Sequence, residues 1–113
     1  MKYWIGDLCY ILDPEDWQNV CKNMDNNQQG WMLLDSGKTV CVFNTIVGDG
    51  IFKDNKGNSY SVDSGTIGIA QISNNIKNNI RLNSLGKVHI FKKIPYPYYK
   101  KNKLKINNIQ IQL

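Results

Sequence analysis

A chain of 113 residues and 13.0 kDa is one domain's worth, 1–113, large enough to bury a core without disulfide staples. Hydrophobic residues make up 42% and aromatics 11% of it, which excludes a disordered composition. No apolar run reaches the length of a membrane span. The positive charge behind the formal +5 is almost entirely lysine, with Arg81 the single arginine, so the chain has one forked donor of the kind that reads base edges and nucleic acid is disfavoured as a partner.

In chain order, Lys2 to Ile5 and Leu8 to Leu12 read as short strands parted by Gly6-Asp7. Asp13-Pro14 opens a helix: Asp13 is a capping type, Pro14 suits the first turn, and Glu15 and Asp16 favour the positive end of the helix dipole. Trp17, Val20, Cys21 and Met24 follow at helical spacing, one apolar stripe to lay on a sheet. Trp31 to Leu34 and Thr39 to Phe43 flank a turn and form a hairpin. A second hairpin joins Ile51-Phe52-Lys53 to Ser59 through Val62, and Thr66 to Ile72 is an apolar strand. Asn74 to Asn83 is a polar connection with room for a helical turn. Lys87 to Ile94 alternates as a strand, Pro95 and Pro97 break it, and Leu104, Ile106, Ile109 and Ile111 make a last edge strand or pair guarded by lysines. The expected fold is α+β: mostly antiparallel β, a bent sheet or partial barrel, with one short N-terminal helix.

Cys9, Cys21 and Cys41 are odd in number and lack metal-ligand spacing. The first residues carry no apolar leader, so the expectation is a cytoplasmic protein with reduced, buried thiols. Three glycine–aspartate turns punctuate the β framework: Gly6-Asp7, Gly48-Asp49-Gly50 and Asp63-Ser64-Gly65. Such turns form for conformational reasons alone, yet around one cleft their amides and carboxylates would meet phosphate and hydroxyl groups. Asp7, Asp49 and Asp63 would also serve a hard cation, but one Glu and one His provide poorly for transition-metal chemistry. A triad of Ser64, His89 and an aspartate lacks a nucleophile-elbow sequence. From Phe91 to Lys101 aromatics and lysines interleave; Lys92, Lys93, Tyr96 and Tyr98 pair charge with stacking faces.

Trp4-Ile5-Gly6-Asp7-Leu8-Cys9-Tyr10, then Gly48-Asp49-Gly50 and Val62-Asp63-Ser64-Gly65-Thr66-Ile67-Gly68, resemble a group of small phage and prophage proteins over about the first 70 residues. Leu8 stands where that group commonly carries Pro, and the Lys/Asn-rich C-terminal part has no counterpart in it. The resemblance implies a phage accessory protein of the anti-defence type acting in the host cytoplasm, and it brings no catalytic residue and no cofactor. Three classes of function stand: a non-enzymatic binder of an anionic small molecule such as a nucleotide, a module blocking a host defence protein, or a small metal-dependent hydrolase. For the binder, Asp7, Gly48, Asp49, Gly50, Asp63, Ser64, Gly65, Lys92, Lys93, Tyr96 and Tyr98 are the candidate ligand-binding residues. Self-association is left open.

Overall fold

A computed structural model describes residues 1–72 and 80–113. Among the described residues ten strands pair antiparallel: β1 (Lys2–Gly6), β2 (Gly30–Leu33), β3 (Thr39–Asn44), β4 (Gly50–Lys53), β5 (Ser59–Val62), β6 (Thr66–Gln71), β7 (Lys87–Ile90), β8 (Tyr98–Lys100), β9 (Lys103–Ile106) and β10 (Ile109–Gln112). The main helix is α1 (Pro14–Asp25), and a six-residue α2 (Ile80–Leu85) precedes β7. The mostly antiparallel α+β expectation is met, as open sheets rather than a closed barrel. Of the polar connection over Asn74 to Asn83, the part up to residue 79 lies outside the described residues, and the remainder is α2.

Period-2 alternation builds the layers. The central sheet runs β2-β3-β6-β1-β7. Tyr3 and Ile5 of β1 join Cys41, Phe43, Ile67 and Ile69 on one face. Against them pack Phe52, Tyr60 and Val62 of the β4–β5 hairpin and Leu104, Ile106, Ile109 and Ile111 of a β10-β9-β8 meander. Trp4, Val40, Val42 and Ala70 point the other way, toward Leu8, Val20 and the helices. An antiparallel sheet buried on both faces needs apolar residues at consecutive positions, and β3 and β6 have them.

Trp4 is the pivot of the helical layer. It is fully buried, and its indole N–H donates to the Leu82 carbonyl at 3.1 Å. The ring lies where a Cβ on Gly6 or Gly86 would be, so both positions must stay bare.

Two local expectations are corrected. Leu8 to Leu12 is not a strand: Leu8–Tyr10 is a 3₁₀ turn, because the Asp7 carboxylate caps the Cys9 amide, Tyr10 N–H returns to Asp7 C=O at 3.2 Å and Ile11 N–H to Leu8 C=O at 3.1 Å. Cys21 is exposed rather than part of the buried stripe. The packing face of α1 centres on Asp16 and Val20, flanked by half-buried Trp17 and Met24, and Cys21 lies about 100° around the helix from Val20. Asp16 holds the Lys38 ammonium at 2.9 Å and so ties α1 to the β2–β3 turn. No helix among the described residues is long and apolar enough to cross a membrane.

Candidate functional site

The three glycine–aspartate turns meet at one rim. β1 ends at Gly6 opposite Gly68, β3 ends at Asn44 opposite Thr66, and β4 begins at Gly50 opposite Val62. Thr45 clasps two of the turns: its amide donates to Gly65 C=O at 2.9 Å, and its hydroxyl contacts the Gly48 and Gly65 carbonyls. Gly48 and Gly65 both have positive φ, 81° and 72°, where a side chain would be strained.

What the turns do there is structural for at least one carboxylate. Asp7 is fully buried. Its Oδ1 accepts from Cys9 N–H at 3.0 Å and from the Ser64 hydroxyl at 2.8 Å; its Oδ2 accepts from the amides of Asp63 at 2.8 Å and Ser64 at 2.7 Å. A carboxylate offers about four lone-pair positions, and all are filled by the protein itself. Asp7 therefore knots the first turn to the third and has no lone pair left for a ligand. Burial and the neighbouring Asp63 carboxylate push the Tyr10 phenol up to about 12. Burial, then the Asp7 hydrogen bond, pushes the Cys9 thiol to about 12, so it stays a thiol at neutral pH. Asp49, Gly50, Asp63 and Ser64 are exposed, with Gly48 and Gly65 half-buried. Beside Asp49 on this rim, Ile46, Val47 and Ile51 are exposed by 61%, 72% and 72%.

The tyrosine–lysine segment divides. Phe91 is buried, Pro95 accepts the Trp31 indole N–H at 2.9 Å, and Tyr99 stacks on Phe43 at 5.3 Å. These anchors make residues 91–97 a strap that leaves Lys92, Lys93 and Tyr96 exposed. Tyr98 belongs to a different surface. It begins β8, and with Lys100, Lys101, Lys103, Lys105 and Gln112 it lines a shallow cleft of about 430 Å³. No carboxylate is in that lining. Spacing along the chain does not set Lys100, Lys101, Lys103 and Lys105 apart from the other lysines. The missed signal was local: Lys101 and Asn102 both take positive φ, 51° and 65°, the pair a tight type I′ hairpin turn demands.

A second polar cluster lies between the layers. Buried Asp54 accepts from the Lys56 and Asn58 amides, from the Asn58 side chain at 2.9 Å and from the Tyr60 hydroxyl at 2.7 Å. Tyr60 is fully buried, and its oxygen lies 3.1 Å from His89 Nε2. Because Tyr60 gives its proton to Asp54, it accepts from His89 Nε2–H, which fixes the neutral tautomer. Burial raises Asp54, but bonds from Asn58, Tyr60 and the backbone outweigh it and hold the carboxyl below its ordinary value. Burial lowers His89, against the pull of Asp54. His89 thus joins β7 to the β4–β5 hairpin, distant in role from Ser64, whose hydroxyl is bonded to Asp7 and Thr66.

Among the described residues no three His, Cys, Asp or Glu side chains gather as a metal ion would require. No family model, curated protein or solved structure matches the chain.

Proposed function

We propose that the protein is a non-enzymatic binding domain that holds an anionic, phosphate-bearing ligand on the lysine face of its C-terminal meander. The observation that carries this reading is the cleft of Tyr98, Lys100, Lys101, Lys103, Lys105 and Gln112, which presents four ammonium groups, an aromatic ring and no carboxylate. Low-dielectric walls lined by one sign of charge concentrate ligands of the opposite sign. In the phage setting that the sequence resembles, holding a nucleotide signal is the matching role. The rim turns, with Asp7 spent internally, serve this reading as scaffold.

Isothermal titration with ATP and with inorganic tripolyphosphate tests it. Both should bind, and the double substitution Lys103→Gln, Lys105→Gln should weaken both about ten-fold, two exposed charge contacts at roughly 0.7 kcal/mol each. ATP recovered after heat denaturation should be intact. Binding undiminished in the double variant would refute the assignment, and cleaved ATP would return the protein to the enzymes.

A second reading has one observation in its favour. The exposed Ile46, Val47 and Ile51 flank Gly48-Asp49-Gly50 as an apolar rim, the kind of surface that blocks a host defence protein by contact. Under that reading Ile51→Lys abolishes a stable protein complex and leaves tripolyphosphate binding unchanged.

A further inference from the structure

The lysine cleft continues beyond the three strands that line it. An antiparallel bridge pairs Asp54, just after β4, with Ile111 of β10. That register sets Lys53 opposite Gln112, and the Asn55 amide donating to Gln110 C=O at 3.0 Å agrees with it. Gln112 in turn lies opposite Lys103, and Lys103 opposite Lys100. A single row therefore crosses four strands: Lys53, Gln112, Lys103, Lys100. The next row is Asn55, Gln110, Lys105, Tyr98. Asp54 and Ile111 point inward and are buried, so Lys53 and Gln112 point outward. With neighbouring strands about 4.8 Å apart, the first row is roughly 14 Å long.

Three features give the row its chemistry. Every member is a cation or a neutral hydrogen-bonding group, and the ion pairs among the described residues belong to Lys38 alone. Lys100 and Lys103 are direct cross-strand partners, and like charges so placed destabilise a sheet. Guarding an edge does not explain them all, because β9, which carries Lys103 and Lys105, is the central strand of its sheet. Tyr98 is 57% exposed beside Lys105 and offers a ring face next to the charges.

We infer that this outer face is a track for single-stranded nucleic acid, with phosphates along Lys53, Lys103, Lys100 and the adjoining Lys105, and a base stacked on Tyr98. The inference rests on the anion-binding reading above and extends it from a nucleotide to a chain. A row crossing four strands on an open face is wider than one nucleotide needs, and stacking beside a cationic groove is how single strands are held without sequence readout. The lack of arginine forks in these rows removes base-edge recognition and leaves backbone tracking intact, since lysine meets phosphate as a point charge.

The test is fluorescence anisotropy of a labelled twelve-nucleotide oligothymidylate, beside a twelve-base-pair duplex, polyglutamate as competitor, and ATP by calorimetry. Four lysine–phosphate contacts (Lys53, Lys100, Lys103 and Lys105) on a single strand give a log–log salt slope of about −2.8, a loss of about fifty-fold between 50 and 200 mM salt. Lys53→Gln should flatten the slope by about 0.7 and leave ATP binding unchanged. Tyr98→Ala should weaken the oligonucleotide about ten-fold, with Tyr98→Phe retaining it and both variants melting as the parent does. ATP binding with no tighter hold on the oligonucleotide and a silent Lys53→Gln would overturn the track and leave the anion site standing. Failure to bind either would overturn both. Tighter binding of the duplex, or displacement of the oligonucleotide by polyglutamate from a common site, would also overturn the single-strand assignment.

Discussion

Asp7→Asn tests whether the rim is a knot or a ligand site. The amide keeps one acceptor oxygen, and its best placement preserves the bonds from the Asp63 and Ser64 amides. The Ser64 hydroxyl can turn and accept from the new Nδ2. The Cys9 N–H, now 3.0 Å from a donor, cannot be rescued. One orphaned donor costs about 1–3 kcal/mol, and two bonds demoted from charged to neutral acceptors lose roughly 1 kcal/mol each. The sum is about 3–5 kcal/mol, a large share of the roughly 5–15 kcal/mol that holds a domain together. At about 4 °C per kcal/mol for a chain of this size, the melting temperature should fall by about 12–20 °C. Thermal unfolding followed by circular dichroism reads this directly, with Ser64→Ala as the control: it removes the hydroxyl's bonds to Asp7 and Thr66, leaves the Cys9 amide capped, and should cost about 2 kcal/mol. A melting temperature for Asp7→Asn within about 2 °C of the parent would show that the four bonds do not hold the turns together. It would also return Asp7 to the ligand-binding set.

Gly86→Ala would force a methyl into the Trp4 indole and the Ile5 carbonyl, so urea denaturation should show a loss of about 1–3 kcal/mol or more. His89 is favoured neutral in the fold, with its pKa below the ordinary 6.5. The stability this carries is present above pH 6.5 and is lost as pH falls through the lower, folded value; chemical denaturation between pH 7 and 5 should show the loss, and His89→Asn should remove it. Asp54, held below 3.8, contributes in the same sense at lower pH, its share being lost as pH falls from about 3.8 through the folded value. A maleimide reagent should label exposed Cys21 and spare buried Cys41, whose thiol burial pushes up to about 12; labelling at equal rates would contradict the helix orientation.

Much of the fold is legible in the residues. Asp13-Pro14 starts α1 because cap and fixed φ act locally, and the Asp13 side chain does accept the Asp16 amide at 2.9 Å. Alternation places Phe52, Tyr60 and Val62 inward because period 2 belongs to any pleated strand. What was not legible depends on distant pairing. Leu8 to Leu12 looks like a strand until Asp7 captures the Cys9 amide, and nothing nearby announces that the rest of its carboxylate is taken by residues 63 and 64. Cys21 fits an apolar stripe by spacing, yet the buried arc of α1 is set by where Val20, with Trp17 and Met24 beside it, packs against Trp4 and Leu8 from other elements. The lysine row is invisible in sequence because Lys53 and Lys100 are 47 positions apart and share a face only through the β4–β10 bridge.

The central claim is that the lysine face, rather than the glycine–aspartate rim, is where an anionic ligand sits. Backbone amide chemical-shift mapping of the intact protein, titrated with oligothymidylate, separates the two surfaces in one experiment. Shifts should concentrate in Tyr98 to Lys105, Gln112 and Lys53, and leave Gly48, Asp49 and Gly65 in place. Shifts confined to the turns around Asp49 and Gly65, with β8 and β9 unmoved, would contradict it.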